Sequence, residues 1–357
     1  MPRSSETLQS DEAYQSRALP GVSRTFALTI PQLPGELRQV VTNAYLLCRI
    51  ADTIEDDGEL SADEKQRLHE EFVGVVAGQS DAQRFSEVVS PLLSPDTSAA
   101  ERDLIRNTAR VIHVTHSFNA TQRRALERCV RIMCQGMPGF QRNKSLAGLA
   151  SIEDLDSYCY YVAGVVGEML TELFCDYSPA INLNRESLLR HAVRFGQGLQ
   201  MTNILKDVWE DRRTKTCWLP RDVFQRLGFE LSDLVPGRYV DAFGIGMNQL
   251  IGVAHAHLRH AMQYTLLIPR GETGVRRFCL WAIGLAVLTL RKLHGNPEFT
   301  SGRDVKVSRR TVRATVLTSS LAARSNQTLR LLFELAAHGL PLAALDEDVY
   351  SGETRAA

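Results

Sequence analysis

The pentad Asp-x-x-Glu-Asp occurs twice in this chain, as Asp52-Thr53-Ile54-Glu55-Asp56 and as Asp207-Val208-Trp209-Glu210-Asp211. On a helix, offsets of 0, +3 and +4 put all three carboxylates on one side. Both copies lie in helix-patterned stretches rich in apolar residues. The plain alternative is two solvated acidic turns. In a chain of 357 residues, one such pentad is about a 5–10% event by chance and two fall well under about 1%. Two acidic faces looking at each other across a cavity would hold hard divalent cations through oxygen ligands. That arrangement suits a reaction whose leaving group is a diphosphate.

Composition narrows the alternatives. Lys+Arg and Asp+Glu both number 41, so the basic surface needed for broad nucleic-acid binding is not expected. The seven cysteines, at 48, 129, 134, 159, 175, 217 and 279, are odd in number and form neither CxxC pairs nor His/Cys metal spacings. They read as reduced core cysteines of a cytoplasmic protein. The segment Met1 to Asp11 is polar and lacks an apolar signal core. The longest strongly apolar stretch, Phe278 to Leu290, is too short to span a bilayer and reads as a buried helix.

Apolar residues recur at spacings of three and four over most of the length. They predict helices over 22–31, 36–54, 62–77, 101–117, 121–136, 153–175, 186–211, 239–266, 275–294 and 309–338, with breakers such as Pro138-Gly139 and Asn296-Pro297 between them. Ser61–Glu64 and Ser151–Asp154 read as capping boxes. The expectation is an all-α fold with one domain over 16–345 and mobile ends at 1–15 and 346–357.

Both pentads close long helices, where the macrodipole disfavours negative charge. Magnesium, bound through one or two carboxylates plus substrate phosphate oxygens, is the natural partner, with manganese an acceptable substitute. A di-iron bundle would need Glu-x-x-His pairs, and neither pentad has a nearby His. Cations flank the acids: Arg24 and Arg49 near the first, and Lys206, Arg212, Arg213 and Lys215 near the second. Diphosphate release needs such donors, although intrahelical ion pairs would also explain them. In Tyr158-Cys-Tyr-Tyr-Val-Ala-Gly-Val-Val-Gly167, the two helical glycines each cost about 1 kcal/mol relative to Ala. They imply a close backbone approach or a kink beside a ligand; an aromatic core helix is the alternative. Gln200, Asn203 and Asp207 share one face of a helix and indicate a polar pocket. The run Asp304 to Arg310 is a solvated loop or a phosphate site.

Together these residues resemble the squalene/phytoene synthase family of head-to-head prenyl transferases. The resemblance runs from about Ser23 to Arg310. It rests on Ser23-Arg24-Thr25-Phe26, on Tyr45-x-x-x-Arg49-x-x-Asp52-Thr-x-Glu55-Asp56, on the Tyr158–Gly167 stretch, and on Gln200-x-x-Asn203-Ile-x-Lys206-Asp207-x-x-Glu210-Asp211. It implies a helical isoprenoid-synthase bundle around a central apolar cavity, with farnesyl diphosphate as substrate and magnesium and NADPH as cofactors. By resemblance, Asp52, Glu55, Asp56, Asp207, Glu210 and Asp211 are metal–diphosphate positions. Tyr158, Tyr45 and Arg49 are catalytic, and Ser23, Arg24, Phe26, Gln200, Asn203, Lys206, Arg213 and Lys215 bind substrate. Asn203, Lys306 and Arg309 serve the cofactor. Lys206 stands where the family usually has Arg, and Ser308 replaces a basic residue. The rival within the family is a phytoene or dehydrosqualene synthase, which transfers no hydride. A non-catalytic helical scaffold is a more distant one. A monomer is expected, with no nucleic-acid partner and loose, peripheral membrane association.

Overall fold

The computed structural model describes residues 5–23 and 25–345. In chain order the helices are α1 (Ser5–Val22), α2 (Phe26–Thr29), α3 (Gly35–Asp56), α4 (Ala62–Val76), α5 (Ala82–Val89), α6 (Ala99–Arg106), α7 (Thr108–Ser117), α8 (Ala120–Arg142) and α9 (Ile152–Cys159). They continue with α10 (Val165–Tyr177), α11 (Pro179–Asn182), α12 (Arg185–Arg213), α13 (Arg221–Gln225), α14 (Asp241–Leu267), α15 (Thr273–His294), α16 (Arg309–Ala322) and α17 (Asn326–Ala337). Among the described residues there is no strand, only an isolated bridge between Leu149 and Pro220. The chain divides into two compact units, Met1–Asn143 with Glu168–Leu183, and Lys144–Gly167 with Asn184–Ala357.

In the first unit α3 is the central element. Leu37, Val40, Val41, Ala44, Leu47, Ala51 and Ile54 recur at helical spacing and are all buried, each large side chain contributing about 1.5–3 kcal/mol over exposure. The helix packs against α1, α4, α6, α7 and α8. The segment read as a mobile N-terminus is a correction: from Ser5 it is helical and docked. Arg110 Nε donates to Asp11 Oδ1 at 2.7 Å, His113 Nδ1 lies 2.8 Å from Asp11 Oδ2, and Tyr14 Oη donates to Asp103 at 2.9 Å. The contacts are polar, so the hydrophobic period does not show them. Residues 346–357 lie outside the described residues. The helix expected over 22–31 shrinks to α2 and a single 3-10 turn, Ile30–Gln32, opened by Pro31. The expected helices 101–117 and 309–338 each break in two, the second at Ser325, whose side chain caps α17.

In the second unit the 29-residue α12 packs against α9, α14 and α15. It also meets the π-helical turn Tyr160–Gly164 that joins α9 to α10. Here the glycines have a steric reason. A Cβ on Gly196 would stand 2.0 Å from the Ala163 carbonyl oxygen, and one on Gly167 2.1 Å from that of Ala192. The two backbones therefore cross at direct contact. All seven cysteines are buried and none forms a disulfide. Helix α15 is long and apolar enough to cross a membrane by length and composition. It is mostly buried within its unit, with Phe278, Cys279, Leu280, Ile283 and Val287 in the core.

Gly196→Ala is expected to lower stability by about 1–3 kcal/mol, because the backbone itself must move. Gly139→Ala, in α8 with nothing near its added Cβ, is expected to be neutral or to stabilise by up to about 1 kcal/mol. Urea unfolding of both variants checks the contrast.

Candidate active site

The acid end of α3 is built on one face of the helix. Tyr45, Arg49, Asp52 and Asp56 follow at spacings of four, three and four, so they line up along the axis. Tyr45 Oη donates to the Val22 carbonyl at 3.0 Å, and its ring meets that of Phe26 with centroids 5.3 Å apart. The Phe26 amide donates to Ser23 Oγ at 3.0 Å. Ser23, Phe26 and Tyr45 thus come together as expected. Arg24 lies outside the described residues. Arg49 reaches to 4.0 Å from Asp52 and pairs closely with Glu101 on α6. The sequence reading missed Glu101; its signal was the capping box that it forms with Ser98.

The three acids of the first pentad do not share one environment. Asp52 is half-buried and Asp56 exposed, while Glu55 is buried. Burial, then the neighbouring Asp56 carboxylate, pushes Asp52 up to about 7, against the pull of Arg49. Glu55 sits 3.6 Å from His69 Nδ1, and Lys65 Nζ donates to its backbone carbonyl. Burial pushes His69 down to about 4, so the ring is neutral there. Asp57, the acid that follows the pentad, is an internal brace. Its carboxylate accepts from the amides of Glu59 and Ser94 at 2.9 and 2.7 Å and from Thr97 Oγ1 at 3.1 Å.

On α12, Met201, Thr202, Ile204, Leu205, Val208 and Trp209 are buried, whereas Gln200, Asn203, Asp207, Glu210 and Asp211 are not. The polar residues therefore form the helix's open face. Lys206 Nζ lies 3.1 Å from Asp207 Oδ2 and donates to Asn203 Oδ1 at 3.5 Å. Burial raises the Asp207 carboxyl, Lys206 opposes this, and Glu210 adds to it. Glu210 accepts from the Gly302 amide at 3.1 Å and from Ser301 Oγ at 3.4 Å. It therefore ties the loop ahead of the Lys306 motif onto the acid end of α12. Gly302 is small for a reason: a Cβ there would stand 3.2 Å from Asp207 Oδ1. Trp209 Nε1 adds a bond to the Phe299 carbonyl at 2.6 Å. The loop's own turn is held by Asp304, which accepts from the Thr300 and Ser301 amides.

Other residues separate by role. Arg212 donates to the carbonyls of Leu231 and Leu234 at 2.9 and 2.7 Å, a structural clamp. Arg213 and Lys215 are exposed, and Lys215 has the left-handed φ of 58° that ends the helix turn. Tyr158 is buried and stacks flat on Trp218, with centroids 4.2 Å apart and planes 9° from parallel; the sequence reading did not find Trp218. Lys306 and Arg309 are exposed. Ser308, which stands where a basic residue was expected, caps α16 by accepting from the Thr311 amide at 3.1 Å. Among the described residues no group of three His, Cys, Asp or Glu side chains is gathered closely enough to hold a metal by itself.

The family model for squalene/phytoene synthase matches residues 19–311. The chain belongs to that family. It is 28% identical over 302 residues to the squalene synthase of Candida albicans, covering 83% of this chain and 65% of that one. It is 29% identical over 322 residues to the squalene synthase of Botryococcus braunii, covering 87% and 65%. The chain thus spans slightly less than two-thirds of the length of these relatives. Among solved structures, TcSQS with a bound ligand superposes with a TM-score of 0.72 at 23% identity, covering 92% of this chain and 91% of that one. A dehydrosqualene synthase superposes at 0.67 with 21% identity, covering 90% and 99%. The squalene/phytoene synthase family shares this all-α fold, and the long motifs read from the sequence fall within the matched range.

Replacing Glu210 by Gln removes the charge that holds the Gly302 amide, a class of bond worth about 1.5–3 kcal/mol. Hydrogen exchange at Gly302 is expected to quicken by about tenfold or more, while exchange in α3 stays unchanged.

Proposed function

We propose that this family member is a head-to-head prenyltransferase that condenses two farnesyl diphosphates and, with NADPH, delivers squalene. The observation that carries this reading is that α3 and α12 each end in aspartates one turn apart, Asp52 with Asp56 and Asp207 with Asp211, next to the cations Arg49 and Lys206. Both sets offer only hard oxygen donors. Asp52 and Asp207 are both raised by burial and by a neighbouring carboxylate, and a small divalent cation relieves that cost. The residues fit magnesium, or manganese, held at Asp52/Asp56 and at Asp207/Asp211. Glu55 and Glu210, the remaining acid of each pentad, contact His69 and the Gly302 loop beside those pairs. When bound, the metal would supply positive charge to the departing diphosphate oxygens. NADPH would supply a hydride, and its phosphate suits the exposed cations Lys306, Arg309 and Arg310, with Asn203 on the cofactor side of α12.

The chain's own residues would do the rest. Arg24 and Arg49 at the first pentad, and Arg213 and Lys215 at the second, would donate to diphosphate oxygens, and Ser23, Phe26, Tyr45 and Gln200 would bind substrate. The first half-reaction loses one diphosphate and one proton as the cyclopropane of presqualene diphosphate closes. Tyr158, its ring held flat by Trp218, accepts or relays that proton. The second half-reaction loses the other diphosphate and gains the hydride. We expect a cytoplasmic monomer, held loosely at the membrane by its oily product.

A second reading, dehydrosqualene or phytoene synthesis without hydride transfer, is favoured by one observation. Ser308 uses its side chain as a helix cap and adds no positive charge for a cofactor phosphate. Incubation with farnesyl diphosphate and magnesium, with and without NADPH, separates the two. Squalene formed only with NADPH is the expected result; dehydrosqualene regardless of NADPH, or phytoene from geranylgeranyl diphosphate, gives the second reading. Asp52→Ala and Asp207→Ala are each expected to cut turnover by at least about a hundredfold with far-ultraviolet circular dichroism unchanged. Full product formation in both would refute the metal assignment and restore the scaffold alternative.

A further inference from the structure

Helices α16 and α17 carry a concentration of exposed apolar side chains. Of the eleven large hydrophobic residues exposed on the described surface, five lie between 317 and 342: Leu317, Leu321, Leu331, Leu335 and Leu342, each between 57% and 79% exposed. Leu317 and Leu321 are one turn apart on α16, and Leu331 and Leu335 one turn apart on α17. A cleft of about 230 Å³ opens between these helices, α14 and α15, lined by Leu332, Phe333 and Ala336 from α17 and by Thr315 and Thr318 from α16.

Charge decides what covers this surface. From Lys306 to Leu345 the chain has six Lys or Arg and one acid, Glu334, which is paired with Arg259 at 3.0 Å. On α16, Arg310, Arg313, Leu317 and Leu321 follow at spacings of three and four on one exposed face, and exposed Arg324 stands in the turn just after it, so the arginines flank the leucine pair. Among the described residues, Arg310, Arg313, Arg324 and Arg330 have no acidic partner. Exposed leucines flanked by cations whose stems can run along an apolar layer, with their heads among phosphates, are the pattern of a helix lying in a membrane interface. A second copy of the same face would set arginine against arginine. The acidic run Asp346-Glu347-Asp348 that follows lies outside the described residues.

We propose that the α16–α17 surface docks on an anionic lipid bilayer, with Leu317, Leu321, Leu331 and Leu335 entering the acyl boundary and Arg313, Arg324 and Arg330 meeting the headgroups. This gives the membrane association expected of an oily product a defined surface. It needs no substrate to be tested, so its outcome is separate from that of the product assay.

The test is sedimentation of the full chain with vesicles of phosphatidylcholine, alone or with 30 mol% (roughly physiological in anionic content) phosphatidylserine. Binding to the anionic vesicles is expected to be at least about tenfold stronger than to the neutral ones and to weaken with salt. Leu317→Ser with Leu321→Ser should lower binding about tenfold, with the melting curve unchanged. Arg313→Gln with Arg324→Gln should remove the preference for anionic lipid and leave the weak neutral binding in place. Leu183→Ser, at an 87% exposed leucine in the other unit, should have no effect. Three results would overturn the proposal: a chain that stays in the supernatant with anionic vesicles, a Leu183→Ser loss as large as that of the paired leucines, or a concentration-dependent dimer abolished by Leu317→Ser with Leu321→Ser.

Discussion

Direct backbone contact between α12 and the Tyr160–Gly164 π turn is the constraint on which the second unit depends. Gly196 and Gly167 each leave room for a carbonyl oxygen where any side chain would collide. That crossing fixes α12 along its length. It therefore fixes where Asn203, Asp207, Glu210 and Asp211 stand, and it holds α9, with Tyr158, at the far side of the same turn. Glycine is unfavourable inside a helix by about 1 kcal/mol. Here the cost is offset by a packing distance that no other residue allows.

The acid ends of α3 and α12 follow a common plan with different supports. In each, one aspartate is raised by its partial burial and further by a neighbouring carboxylate, and a cation stands beside it. Arg49 is braced by Glu101, while Lys206 reaches both Asp207 and Asn203. The glutamate of each pentad is used differently. Glu55 turns toward neutral His69, and Glu210 anchors the loop that leads to Lys306. A pentad therefore presents its aspartates and uses its glutamate for support. Such charges near a helix C-terminus are costly alone, and this is the electrostatic state that a divalent cation would relieve.

Much of this was readable in the chain. The helical period predicted α3, α4, α8, α12, α14 and α15 because their buried residues are apolar and recur at three and four. It failed at α1, whose buried anchors are Asp11, Tyr14 and Gln15. A hydropathy pattern scores such residues as solvent-facing, although an ion pair with Arg110 and a close polar contact with His113 hold the helix down. It also ran through the breaks at Asn107 and Ser325, since capping side chains can end a helix without interrupting its apolar spacing.

The sequence by itself determined the all-α class and the alignment of Asp52 with Asp56 and of Asp207 with Asp211, because these follow from helix geometry and local order alone; its motifs in their order carried the family resemblance. It could not determine which member of each pentad is buried. On a helix Glu55 and Asp56 stand about 100° apart, and the edge of the core passes between them only once α4 and its His69 are in place. The pairing of Arg49 with Glu101, the stacking of Tyr158 on Trp218 and the capture of Gly302 by Glu210 join residues between 52 and 92 positions apart. Such contacts are decided by how helices pack, and no local spacing encodes them.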